Sequence, residues 1–170
     1  MAMVRMDISS IIVGAGPVSS MVVLQPREQE PDSLVKLPIR IGAAEATAIG
    51  LGVNEGEPPR PIAHDLLAEA VSRLGAKVSS VAITDVRGTT FYATVSLISG
   101  SGERIALDAR PSDAIALAVR TKSPIFVDDE VLGTASCPDL SAVGADERER
   151  EAEEFHEFVS GLYPDDFTKS

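Results

Sequence analysis

The sequence predicts an α+β fold made of duplicated ββα units, in which a mainly antiparallel or mixed sheet is flanked by short helices. Strand-like segments come in pairs joined by turn residues, which is typical of hairpins. Two alanine-rich helical segments each follow a hairpin and a further strand, and their strand-to-helix junctions, 41–52 and 109–120, align without gaps. Strands and helices alternate too irregularly for a doubly wound parallel sheet.

Three strand-like segments open the chain, at 3–13, 19–25 and 34–42, and the last two predict a hairpin. The first two are separated by GAGP at 14–17, which is similar to part of a dinucleotide-binding loop. It lacks the third glycine, and a strand instead of a helix follows it. We therefore reject a dinucleotide site there.

Two helices are predicted in the middle of the chain. Residues 43–53 are alanine-rich, and Gly50 and Gly52 would either let this helix pack closely against a neighbour or end it. Residues 64–74 form an amphipathic helix that ends at Gly75, a residue type favoured just after helices. Its apolar stripe consists of Leu66, Leu67, Ala70, Val71 and Leu74.

The second half repeats the order of the first. Residues 76–86 and 89–99 are rich in β-branched and aromatic residues and predict an antiparallel hairpin. A strand follows at 104–110, then an alanine-rich helix at 111–121 and a short strand at 123–129. The length of 170 residues suits one domain with a tail, and the repeat indicates that this domain is a duplicated ββα unit.

We therefore divide the chain into a domain at 1–133, a linker at 134–148 and an acidic C-terminal amphipathic helix with its tail at 149–170. The apolar face of that helix should dock on the domain or on a protein partner, which 149–162 would contact. This face consists of Phe155, Phe158, Val159 and Leu162.

Acidic charge is concentrated near the C-terminus. The net charge is -11, but residues 1–127 hold 12 Lys and Arg against 13 Asp and Glu, whereas residues 145–170 hold three against nine. Nucleic acids are bound mainly through Lys and Arg, so a uniformly acidic surface would exclude them. The near-neutral domain can still carry a local basic face.

Composition also indicates the cellular compartment of the protein. No stretch approaches 18 apolar residues, and the N-terminal apolar segment is interrupted by Gly, Pro and Ser, so we predict neither a membrane span nor a signal peptide. The single Cys137 rules out an internal disulfide and is consistent with a reducing compartment. We expect a cytoplasmic protein.

The two junctions carry acids that helix capping explains. With Gly42 and Arg110 as N-caps, Glu45 and Asp113 fall at the third helical position, where a carboxylate reaches back to the N-cap amide. Pro111 then occupies the first helical position, which proline favours. Capping alone therefore accounts for both acids.

Capping does not explain Asp108 and Arg110, which lie two residues apart and project to the same side of a strand. They could form a surface salt bridge of little energetic value. Alternatively, Asp108, Arg110, Asp113 and the helix N-terminus could form a compact site, with carboxylates for a metal or proton transfer and the guanidinium and helix amides for a phosphate. The pair occurs in only one copy of the repeat, which places the candidate site there.

A second cluster surrounds the start of the helix at 64–74. Arg60, His64 and Asp65 lie within six residues, and histidine can serve as an acid or a base near neutral pH. They could equally be first-turn residues of an exposed helix. His156, among glutamates, is expected to be a solvated helix residue.

Several motifs of this sequence resemble those of the bifunctional nuclease domain family of bacteria and plants. The resemblance covers residues 4–133, and its most specific parts are PRPIAHDLL and LDARPSDAIALA. VRGTT at 86–90 departs from the family, which more often has an acid beside this glycine. The resemblance implies an α+β fold, oligomers in some members, and degradation of RNA and DNA as reported for plant members.

On this basis we expect a nuclease that hydrolyses RNA, DNA or both with little sequence preference. The expected catalytic residues are His64, Asp108 and Asp113, and the expected substrate-binding residues are Arg60, Arg110 and Ser112. The sequence leaves the cofactor open: Asp108 and Asp113 would hold a divalent cation such as Mg²⁺ or orient water, and the candidate metal ligands are Asp108, Asp113 and Glu45. We also expect a homo-oligomer.

Two other functions remain open from the sequence. The chain could be a non-catalytic oligomeric module whose junctions recognise a small anion or a partner protein. The acidic tail could also mimic nucleic acid and block a basic face of its own domain.

Overall fold

The computed structural model describes residues 2–15, 17–28, 35–54 and 58–138. The first compact unit spans Met1–Cys137. The predicted acidic helix at 149–170, most of the predicted linker and His156 lie outside the described residues.

Eight strands and four helices are described. The strands are β1 Met3–Ile12, β2 Ser20–Pro26, β3 Val35–Ile41, β4 Lys77–Arg87, β5 Thr90–Ile98, β6 Arg104–Ala109, β7 Ile125–Asp128 and β8 Cys137–Pro138. The helices are α1 Ala43–Val53, α2 Ala63–Arg73, α3 Pro111–Thr121 and α4 Asp129–Ala135. The short helix α4, which begins with Asp128 as its N-cap, was not predicted.

The strands form one mixed sheet in the order β6-β5-β4-β7-β1-β2-β3-β8. The predicted α+β class is thereby confirmed, and each copy of the repeat consists of a three-stranded antiparallel meander followed by a helix. The strand β7 joins the two meanders, since it pairs antiparallel with β1 and parallel with β4.

The core lies between this sheet and the two helices of the repeat. Both α1 and α3 contact strands of their own meander and also contact each other. Most of α3 is buried because small side chains let it lie close to the sheet and to α1. The largest fully buried side chains come from both meanders, β7 and both repeat helices.

The helix α2 lies outside this core, and most of its apolar stripe is exposed. No residue of α2 is buried, and Leu66, Leu67 and Leu74 are exposed. The helix instead rests on its neighbours through Ala68 and Val71, which are half-buried against the core. Gly75 follows α2 with φ 76°, as its predicted position after the helix requires.

Of the described helices, none is long and apolar enough to cross a membrane.

Candidate functional site

The two strand-to-helix junctions meet in space, and Arg110 joins them. Gly42 and Arg110 are the N-caps of α1 and α3, as predicted. The Arg110 guanidinium donates from Nε to Asp113 Oδ2 at 2.7 Å and from Nη2 to Asp113 Oδ1 at 3.1 Å. It also donates from Nη1 to Glu45 Oε1 at 3.3 Å. One guanidinium thus holds the third-position carboxylates of both repeats.

His64 binds the same carboxylate from a third helix. Its Nε2 lies 2.9 Å from Asp113 Oδ1, and only 16% of its side chain is exposed. The other ring nitrogen, Nδ1, has no hydrogen-bond partner among the described residues. The resulting network of Glu45, Arg110, Asp113 and His64, here called the junction network, contains a guanidinium, two carboxylates and an imidazole.

Asp113 is held in its ionised form. The hydrogen bond from Arg110, together with that from His64, lowers the pKa of the Asp113 carboxyl below its usual range, although partial burial opposes the shift. An ionised Asp113 keeps the guanidinium of Arg110 in place and orients the His64 ring.

The buried side chain of Arg120 positions α2 beside the junction network. The Arg120 side chain, 7% exposed, donates to Asp65 Oδ1 at 2.6 Å and to the carbonyl oxygens of Ala48 and Ala116 at 2.9 Å. Asp65 Oδ2 in turn accepts a hydrogen bond from the Ile62 amide, which is the largest cause of its lowered pKa. Arg120 therefore ties α1, α2 and α3 together and holds His64 against α3.

A cleft of about 550 Å³ opens at the two junctions. It is lined by the end of β3, the first turns of α1 and α3, and the turn between β4 and β5. Its lining residues include two arginines, Arg40 and Arg110, and one acid, Glu45. Helix N-termini and guanidinium groups favour anions, so the cleft suits a phosphate group.

The other predicted substrate-binding residues separate into two groups. Ser112 lines the cleft and is 6% exposed. Arg60 is exposed in the segment before α2, does not line the cleft, and makes no hydrogen bond or ion pair with another described residue. The structure therefore brings Ser112, but not Arg60, to the junction network.

Asp108 lies apart from the network. In β6 it pairs with Thr94, whereas the neighbouring Ala93 and Val95 of β5 point into the core that α3 covers. Because side chains alternate along a strand, Asp108 lies on the opposite face of the sheet from that core. It is exposed and has no side-chain partner among the described residues. Arg110 turns back towards α3 and does not pair with Asp108.

The candidate metal ligands do not converge. Asp113 and Glu45 direct oxygens to Arg110, and Asp108 lies on the other face of the sheet. Within the described ranges, no group of three His, Cys, Asp or Glu side chains could hold a metal ion. These residues do not fit the predicted divalent-cation site, and we derive no step through a metal.

Two residues at or beside the cleft were not among the predicted site residues. Arg40 lines the cleft and occupies the place in the first repeat that Asp108 occupies in the second, but alignment of the repeats did not predict a role for it. Arg120 gave no local signal, since an arginine near the end of a helix ordinarily interacts with the helix dipole.

Known proteins resemble this chain along most of its domain. A protein of Mycobacterium tuberculosis strain H37Rv, named Uncharacterized protein Rv1829, is 42% identical over 135 residues, covering 77% of this chain and 80% of that protein. The Bifunctional nuclease 1 of Oryza sativa subsp. indica is 31% identical over 106 residues, covering 61% of this chain and 32% of the rice protein. The Bifunctional nuclease 1 of Arabidopsis thaliana is 30% identical over 93 residues, covering 54% and 29% respectively.

The family model described as Bifunctional nuclease domain matches residues 22–139. This range contains both repeat helices, the junction network and the cleft. The chain belongs to the bifunctional nuclease domain family.

Proposed function

We propose that this protein hydrolyses phosphodiester bonds of RNA, DNA or both, with little sequence preference. The observation that carries the proposal is Arg110, held between two carboxylates at the wall of the cleft, with His64 on the same Asp113. Family membership and the names of the plant relatives agree with it.

The cleft would bind the phosphodiester. Arg40, Arg110 and the first amides of α1 and α3 recognise phosphate oxygens and not bases, which accounts for low sequence preference. Arg110 would also stabilise the extra negative charge of the pentavalent transition state, because Glu45 and Asp113 have already oriented its guanidinium. Ser112, beside it, adds a hydroxyl to the wall of the cleft.

His64 would transfer the proton. With Nε2 held by Asp113, Nδ1 is the nitrogen that can accept a proton from the attacking water and return it to the leaving oxygen. His64 does not line the cleft, so the bound strand must extend past Arg110 to reach it. Asp113 acts here as a positioning residue.

The test compares cleavage of labelled single-stranded RNA, single-stranded DNA and duplex DNA, each with Mg²⁺, Mn²⁺, Ca²⁺ or a chelator. His64→Gln keeps an amide donor for Asp113 but cannot shuttle a proton, so we expect cleavage to fall roughly 100-fold or more. Arg110→Lys should weaken binding and cleavage because lysine cannot replace the two-pronged contact. Arg73→Lys, in an exposed pair with Glu69, is the matched control and should keep full activity.

The alternative function is a non-catalytic module that binds a small anion or a partner. One observation favours it: the cleft wall contains anion-binding groups, whereas the titratable His64 lies outside it. The two functions predict different results in the binding and cleavage experiment. Wild-type protein that binds an oligonucleotide through Arg40 and Arg110 without cleaving it supports the module and excludes the nuclease. Cleavage that His64→Gln leaves unchanged would exclude His64 as the group that transfers the proton.

A further inference from the structure

The strand β6 lies at one edge of the described sheet. Among the described strands β6 is the end of the sheet and pairs with β5 alone. Five of its six residues are exposed, including Ile105 at 37% and Leu107 at 45%. An exposed apolar edge strand with unpaired backbone groups is a template for another strand.

The two faces of β6 differ in character. Ile105 and Leu107 pair with Leu97 and Val95 of β5 and so lie on the core face. Arg104 and Asp108 pair with Ile98 and Thr94 and lie on the opposite face. A protected edge commonly carries lysines or inward-pointing charges, whereas β6 carries one charge of each sign, four residues apart.

This spacing makes the edge complementary to itself. In an antiparallel pair of two β6 strands centred on Ala106, Arg104 of each copy lies opposite Asp108 of the other. On the other face Ile105 of each copy lies opposite Leu107. Opposite-charge and apolar cross-strand pairs are both favourable, and a single two-fold axis generates all four pairs.

We propose that a second copy of this chain binds the β6 edge, antiparallel and centred on Ala106, so that the two sheets continue into one another. The inference does not rest on the proposed function. It gives the exposed Asp108 a partner that the described part of its own chain does not provide, and it gives the predicted homo-oligomer a defined interface.

The experiment measures the dimer dissociation constant of the full chain by sedimentation velocity. Arg104→Asp creates two Asp–Asp pairs across the axis, and Asp108→Arg creates two Arg–Arg pairs, so each variant should weaken the dimer roughly tenfold or more. Arg27→Asp makes the same charge change beyond the end of β2, far from β6 in the sheet, and should leave the dimer unchanged. Circular dichroism confirms that each variant is folded.

Two combinations test the register itself. The double variant Arg104→Asp/Asp108→Arg exchanges the charges and should restore the dimer. An equimolar mixture of the two single variants should form a heterodimer, because each then faces the opposite charge. Amides of 104–109 should exchange more slowly with solvent in wild-type protein than in Arg104→Asp.

The outcomes decide the proposal. A wild-type chain that stays monomeric up to about 100 μM, well above the micromolar range of many specific complexes, overturns it. So does an oligomer that is indifferent to both single variants, or a double variant that does not recover. A larger closed oligomer that loses this one contact in the single variants and regains it in the double variant supports it.

Discussion

At the scale of single residues, the partner of a side chain depends on the whole fold. The sequence predicts Glu45 and Asp113 as capping residues, and both occupy the predicted third position of a helix. The structure shows that their oxygens bind Arg110, whereas the predicted bond from a third-position acid to an amide near the N-cap is seen at Asp65. Sequence position therefore predicted where the acids are but not which group they bind.

The lowered pKa of Asp113 predicts how the junction network responds to acid. A carboxyl with a depressed pKa in the folded state stabilises the fold above its unfolded value, about 3.9, and loses that contribution as pH falls through the folded value. Asp113→Asn should therefore lower the melting temperature near pH 7, and the difference from wild type should shrink towards pH 2.

Thermal unfolding from pH 2 to pH 8 measures this difference. Glu69→Gln, which removes an exposed carboxylate paired with Arg73, is the control and should change stability by less than about 1 kcal/mol at any pH. A difference for Asp113→Asn that grows as pH falls would contradict the assignment.

At the scale of elements, the close approach of α1 and α3 brings the two junctions together. A Cβ added at Gly52 would lie 2.6 Å from Val119 Cγ2 and 2.8 Å from Arg120 Nη1, whereas nothing lies within 4 Å of one at Gly50. Of the two glycines that the sequence offered for close packing, only Gly52 serves it. The contacts of Arg120 with α1, α2 and α3 depend on the absence of a side chain at Gly52.

The two glycines form a matched pair of variants. Gly52→Ala should destabilise the protein by about 1–3 kcal/mol, because α1 or Arg120 must move. Gly50→Ala should stabilise it by about 0.5–1 kcal/mol, because alanine favours the helix and meets open space. Urea unfolding measures both. Equal effects of the two substitutions would mean that α1 and α3 are not in close contact at Gly52.

At the scale of the whole molecule, β7 makes two meanders into one sheet. It follows the second repeat in the sequence but lies between β4 and β1. Its Val127 is fully buried and pairs with Val4 on one side and Ile83 on the other. The two copies of the repeat should therefore unfold as one cooperative unit.

Val127→Ala tests this cooperativity. Loss of two buried methyl groups should lower the free energy of unfolding by about 1–3 kcal/mol. Hydrogen exchange should quicken by the same factor in β1 and in β4, because both are released by the same opening. Val18→Ala, at an exposed position, is the control. Faster exchange in one meander alone would show that the repeats open separately.

Much of the fold follows from local pattern. The strands β1 to β7, the helices α1, α2 and α3 and the N-caps of both repeat helices were predicted because alternation, apolar and alanine-rich runs and cap chemistry act over a few residues. The two-residue strand β8 was not predicted and lies within the predicted linker. The helix α4 was missed because it is short and lies after a strand whose last residue, Asp128, also serves as its cap. The sequence also left open what covers the α2 stripe, because an amphipathic pattern shows that a face is apolar and not what packs against it.

The sequence by itself determined the duplicated α+β architecture, the positions of the junctions and the residue types available for chemistry. Only the tertiary structure decided which of these residues meet. It joined His64 to Asp113 across 49 positions and Arg110 to Glu45 across 65, and it placed Asp108 on the other face of the sheet. The physical reason is that caps and strand alternation are local, whereas contacts between helices depend on how the whole sheet packs them together.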